Sequence, residues 1–224
     1  MKKMQGIVAW CVGVLVAAAL GGTAQAASTL IVDGYTLGER ISIRQSGESQ
    51  RVWTAEFSGT VIDEEYGKTL TGSSYCIDLD QYLGVETVTP VTLLSPSSSP
   101  ELLAASTLLD DWYGLSGGYS RTVAITGLQI AIWETYYDYG SADLTGGNFQ
   151  VTSASSQAMS FATMILGSLP STLSAGDLDS LVLGVMSATR QDQLFISTAP
   201  IPEPSSVLLF LIGGAITARA ARRE

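Results

Sequence analysis

Hydrophobic positions come in short bounded runs up to residue 95 and at helical spacing after residue 100. "TLIVDGYTL", "RISIR", "RVWTAEFSGTVID", "SYCIDLDQYL" and "VETVTPVTLL" are rich in β-branched and aromatic residues and are separated by Gly, Ser, Asp or Glu clusters. That pattern predicts strands across most of residues 27–95. "SPSSSP" at 95–100 breaks the pattern. A helix is predicted from about Pro100, with Ser99 as its cap and proline at the first helical position. "GLSGG" interrupts it, a second helix covers about Thr122 to Tyr137, and a third covers about Ser155 to Leu166. Two closing strands are predicted near Leu181–Met186 and Gln193–Thr198. Strands, then helices, then strands predict an α+β fold, with a β-rich sandwich or barrel-like part and a small helical subdomain.

The two ends have patterns of their own. Lys2 and Lys3 precede an apolar run from Ile7 to Leu20, and Ala24-Gln25-Ala26 supplies a small-x-small cleavage pattern. Residues 1–26 therefore read as a secretory signal peptide; an uncleaved membrane anchor is the second reading, since the run is short for a spanning helix. At the other end, Pro202-Glu203-Pro204 is followed by a 14-residue apolar stretch, Ser205 to Ala218, and by Arg219, Arg222 and Arg223. As a helix the stretch is roughly 21 Å long, so its neighbours must help it cross a hydrocarbon core of about 30 Å. The arginines favour the cytoplasmic side and leave the body outside.

This three-part tail over residues 202–223 resembles the PEP-CTERM sorting signal of Gram-negative bacteria. The resemblance implies recognition by an exosortase, transient anchoring in the inner membrane through the C-terminal segment, and delivery to the cell envelope or extracellular surface of a producer of extracellular polysaccharide. It gives an address and no activity. The chain divides into a signal peptide (1–26), a body (27–200) and a sorting segment (201–224).

Composition narrows what the body does. About 175 residues suffice for one domain or two small subdomains. Six basic residues against nineteen acidic ones give it a formal charge of −13, a surface that repels nucleic acid and anionic lipid. The chain has no histidine, which excludes Ser-His-Asp and Cys-His catalysis and histidine-based metal sites. No cofactor is implied. Cys76 is the one cysteine outside the N-terminal segment, so the body has no intramolecular disulfide, and a lone cysteine in an oxidising compartment needs a reason.

Two residues stand out against their surroundings. On the second helix Gln129 shares a stripe with Ile132, Trp133 and Tyr136, beside a second stripe of Leu128, Ala131, Ile132 and Thr135. Its amide is then at least partly buried, where an unpaired amide costs about 1–3 kcal/mol. The plain reading is a hydrogen bond to backbone on a neighbouring strand. In "YCIDLD" a strand places Cys76 on one face with Asp78 and Asp80, and Tyr75, Ile77 and Leu79 on the other. The plain reading there is a small buried thiol at a core edge. A calcium site at Asp78 and Asp80 lacks ligands unless Asp63, Glu64 and Glu65 join it.

"YCIDL" followed some fifty residues later by "LQIAIWE" resembles the thioester (TQXA-type) domains of bacterial surface proteins, over about residues 70–140. Cys76 matches the family's cysteine, Gln129 the glutamine, and Ala131, Ile132 and Trp133 the apolar residues that follow; Leu128 stands where the signature has threonine. The resemblance implies an internal Cys76–Gln129 thioester, formed with loss of ammonia, that captures an amine- or hydroxyl-bearing surface ligand, or exopolysaccharide, once per molecule. That is covalent attachment without turnover, so no enzyme and no catalytic residue are assigned; Glu134, Tyr75, Asp78 and Tyr136 are the neighbours that could assist. Such a cross-link also stabilises the fold by about 4 kcal/mol on the loop-entropy model. Two other readings stand beside it. One is a non-covalent structural or binding component of the exopolysaccharide matrix. The other is a hydrolase using carboxylates such as Asp78, Asp80, Asp110, Asp111 and Glu134, for which the sequence shows no motif.

Overall fold

The computed structural model describes residues 28–198 apart from 65, 85–87, 177 and 179–180, with Tyr113 described by its backbone alone. The expected signal peptide, 1–26, and the sorting segment, 201–224, with Pro202, Glu203, Pro204, Arg219, Arg222 and Arg223, lie outside the described residues.

Two expected strands fuse into β1 (Ser28–Gln45), which forms a long hairpin with β2 (Glu48–Asp63). The hairpin turns at Ser46 and Gly47, both with positive φ (50° and 89°), the combination whose twist matches paired strands. Register shifts between Val32 and Gly34 and between Leu37 and Arg40 let a strand this long bend. β3 (Lys68–Cys76), β4 (Val88–Leu94), β6 (Val182–Met186) and β7 (Gln193–Ser197) complete a ring in the order β1-β2-β3-β7-β6-β4 and back to β1, antiparallel throughout. Closure leaves these strands without a free edge along the paired segments. The first residues of β1 pair with β4, and its last pair with β5 (Phe149–Ser153), a short strand that the hydrophobic pattern does not announce. The result is a β-rich α+β fold, with the β-part a barrel.

Three helices form the second layer: α1 (Pro100–Leu115), α2 (Arg121–Tyr137) and α3 (Ser156–Gly167). Each begins with a serine whose hydroxyl accepts a backbone N–H of the first turn: Ser99 from Leu102, Ser120 from Val123 and Ser155 from Ala158. Every residue of α2 from Val123 to Thr135 is buried, because α1, α3 and strands β1, β2, β3 and β5 all pack on it. The two stripes expected on this helix are therefore parts of a surface enclosed on all sides. Gly127 permits the closest approach: a Cβ there would lie 2.6 Å from the Phe161 ring and 3.0 Å from the Ala158 carbonyl.

One expected strand is corrected. "SYCIDLDQYL" does not continue to Leu83; β3 ends at Cys76 and the chain turns away. Asp78 drives the turn, since its carboxylate accepts the N–H groups of Gln81 (3.4 Å) and Asp192 (2.8 Å). A short acidic side chain that bonds nearby backbone competes with the strand ladder. Cys76 and Asp78 are thus not strand neighbours on one face.

Candidate functional site

The site lies where the end of β3 meets the middle of α2 and the start of β7. β2 stops pairing with β3 at Phe57 and Ser74, whereas β7 continues to Gln193 opposite Cys76. The backbone of Cys76 thus loses one neighbouring strand two residues before β3 ends. Gln129 takes that strand's place. Its Oε1 accepts the Cys76 N–H (3.2 Å), and its Nε2 donates to the Cys76 carbonyl (2.7 Å). The side chain acts as one more peptide unit on the ladder, fully buried within an apolar helix. This is why the helix carries a glutamine: each end of the amide satisfies a group that has no strand to bond.

The structure thus brings Cys76 and Gln129 together as expected, but the contact is made to the peptide of Cys76. The thiol meets two other glutamines, which nothing in the sequence pattern singles out. Sγ–H donates to Gln191 Oε1 (2.9 Å), and Gln193 Nε2 donates to Sγ (3.5 Å). Gln191 is held by its other end, with Nε2 donating to the Asp78 carbonyl. Gln193 Nε2 also reaches the Asp192 carbonyl (3.0 Å), and its Oε1 accepts from the Ser74 hydroxyl (3.2 Å). The 187–192 turn is tied down by Asp192, whose carboxylate accepts the Ser187 N–H (2.7 Å). Tyr137, equally unmarked in the sequence, accepts the Leu79 N–H (2.9 Å) and fixes the loop leaving Cys76.

Electrostatics hold the thiol protonated. Burial pushes Cys76 up to about 12; the Gln193 hydrogen bond opposes this and the nearby Asp78 charge adds to it. The expected assistants divide by position. Asp78 is bound to backbone and is itself raised by burial. Tyr75 is fully buried and packs edge-on against Trp112 at 5.9 Å. Tyr136 packs edge-on against Tyr137 at 5.4 Å, and burial raises its hydroxyl. Glu134 is buried, and desolvation pushes its carboxyl up to about 7; the Ser141 hydroxyl opposes that shift, and the charges of Asp138 and Asp143 increase it.

Cys76 and Gln191 are also part of the wall of an open cleft of about 500 Å³, together with Trp133, Trp53, Tyr35 and Tyr82. Cys76 is therefore nearly enclosed, at 7 % exposure for the residue, yet lines a space that a ligand can enter. Comparison of the chain with protein-family models, with curated proteins and with solved structures finds no match.

Proposed function

We propose that this chain is an exported bacterial surface or matrix protein whose body captures a partner covalently through an internal thioester at Cys76. The observation that carries the reading is the thiol's environment: the one cysteine of the body is buried against carboxamides, with Gln191 Oε1 2.9 Å from Sγ. Gln129, the acyl partner implied by the resemblance, has both amide ends bonded to the Cys76 backbone. On that contact we assign the acyl role to Gln191 in place of the Gln129 that the resemblance implies, and read Gln129 as holding the cysteine in position. In the closing step Sγ bonds to the carboxamide carbon, the C–N bond breaks, and the thiol proton leaves with the nitrogen as ammonia. The desolvated thiol contributes little thiolate at neutral pH, so proximity has to supply the rate and the step is a single maturation event.

The export signal, the exosortase-processed tail and surface localisation complete this reading and rest on the sequence of residues 1–26 and 202–223. The test is an intact mass of the exported protein, purified at mildly acidic pH, before and after methylamine. The expected result is a mass one ammonia short that rises by one methylamine, with a cross-linked peptide joining Cys76 to Gln191. Cys76→Ala and Gln191→Ala should both restore the full mass. A link to Gln129 in the peptide map would return the acyl role to that residue.

A second reading is favoured by the raised thiol and the doubly bonded Gln129: a non-covalent component of the exopolysaccharide matrix in which these groups only pack. It requires the full sequence mass and one titratable thiol after unfolding.

A further inference from the structure

We propose that the cleft beside Cys76 binds a neutral oligosaccharide and presents one of its hydroxyls to the acyl group. The transfer step rests on the thioester reading above; the binding does not.

Three of the rings bordering the cleft are held in water although they are large and apolar: Trp53 is 56 % exposed, Tyr35 53 % and Tyr82 80 %. Trp53 and Tyr35 lie on the paired strands β2 and β1, so a rigid hairpin presents them, and Tyr35 is braced by Phe57 with ring centres 6.3 Å apart. Clustered exposed rings beside a concave space mark a binding surface. The C–H faces of a pyranose stack on such rings, which supply rigid area with a polar edge.

The polar groups point to the same chemistry. The carboxamide residues Gln50 and Gln81 also line the cleft, and each offers both donors and an acceptor, as a row of hydroxyls requires. Trp133, only 1 % exposed, also borders the cleft, and its indole N–H has no hydrogen-bond partner. A buried donor without an acceptor is costly, and a ligand hydroxyl would satisfy it.

Charge separates a sugar from a lysine. The body carries −13, yet among the described residues bordering the cleft there is no carboxylate, and Arg51 is the one charged side chain. An ammonium group entering there would lose its hydration with no counter-ion to replace it, whereas a neutral hydroxyl loses little. In the transfer the sugar oxygen bonds to the acyl carbon, the C–S bond breaks, and the hydroxyl proton ends on the Cys76 sulfur. The products are an ester and a free thiol.

The test uses the full chain as Cys76→Ala, which removes the thioester and leaves the rings in place, titrated with cellohexaose and with maltohexaose by calorimetry and tryptophan fluorescence. Saturable binding of either sugar is expected, weakened about tenfold by Trp53→Ala or Tyr82→Ala; both residues are exposed, and circular dichroism checks that the variants stay folded. Wild-type protein should then gain the sugar's mass as an adduct that hydroxylamine removes. No binding of either sugar at millimolar concentration overturns the proposal, as does binding that both ring variants leave unchanged. Preferential adduct formation with a lysine peptide also overturns it. An ammonia-short wild-type mass without sugar binding would leave the thioester standing and remove the sugar. Sugar binding to a wild type of full mass would do the reverse.

Discussion

The molecule has two cores of different character. Inside the barrel, Leu30, Val32, Val61, Leu70, Leu83, Val91, Val185 and Phe195 form an apolar cluster, and Ser28, Thr89 and Ser197, two residues along the same strands, are small buried hydroxyls. In the seam between barrel and helices the larger core, from Ile41 and Ile43 to Ile165, is interrupted by buried Gln129, Gln193, Ser74, Thr126 and Glu134. The strands supply their own backbone partners where the ring is closed, so among the described residues the barrel carries no buried amide or carboxylate beside that cluster, only small hydroxyls. The seam is where strands end or bulge against a helix, and side chains must replace the missing ladder. Polar groups that are already desolvated and fixed in place are the raw material of a reactive site, whereas an apolar barrel interior serves as scaffold.

Substitutions on the two sides of that divide should behave differently. The largest loss of stability is expected in the barrel: Phe195→Ala removes a fully buried ring and should cost about 3–5 kcal/mol in urea unfolding. On the thioester reading the fraction that still folds should keep the ammonia-short mass, and loss of that mass would mean that the barrel sets the thiol geometry directly. In the seam, Gln129→Leu leaves the Cys76 N–H and carbonyl without partners and should cost about 1–3 kcal/mol. On the same reading it should slow closure of the thioester, because the cysteine is no longer held; an unchanged mass profile would reduce Gln129 to a stability residue. Thr126→Val should cost about 1–2 kcal/mol, since its hydroxyl accepts the Glu39 N–H (2.7 Å), meets the Thr54 hydroxyl (3.0 Å) and donates to the Thr122 carbonyl (2.8 Å). None of these partners touches the thiol, so no effect on the adduct is expected.

A last effect is a slope with pH. Glu134 is raised from its ordinary 4.5 to about 7 in the folded chain, so between those values the folded state holds the extra proton. Stability should therefore be full below about 4.5 and fall as pH rises through about 7. Asp78 and Asp192, also raised by burial from their ordinary 3.8, add a fall that begins below that range. Glu134→Gln should flatten the upper part of the profile, and a slope that survives the substitution would place its source elsewhere in the seam.

Much of this architecture is legible in the residues alone. The Ser99 cap is a local device, and local sequence identifies it, whereas Ser120 and Ser155 emerge as caps in the structure. The two closing strands are likewise legible. A buried amide in an apolar helix demands a partner, which makes a backbone bond from Gln129 the plain expectation. Less legible are β5, whose five residues follow a Gly-rich loop, and the end of β3, where Asp78 outcompetes a β-prone run. Gln191 and Gln193 are not legible at all as site residues, because "RQDQ" is unremarkable polar sequence until the register of β7 on β3 sets Gln193 opposite Cys76.

By itself, then, the sequence determined the class of fold, the position of the helices, the acidic body without histidine, the patterns at both ends, and the two residues that break their surroundings. Each follows from composition or from interactions within a few residues. The tertiary structure alone decided that β1, already in a hairpin with β2, closes the ring by pairing with β4, and which glutamines face the sulfur. Those depend on contacts between residues more than 50 positions apart, fixed by strand register and helix packing together, and no local pattern encodes that sum.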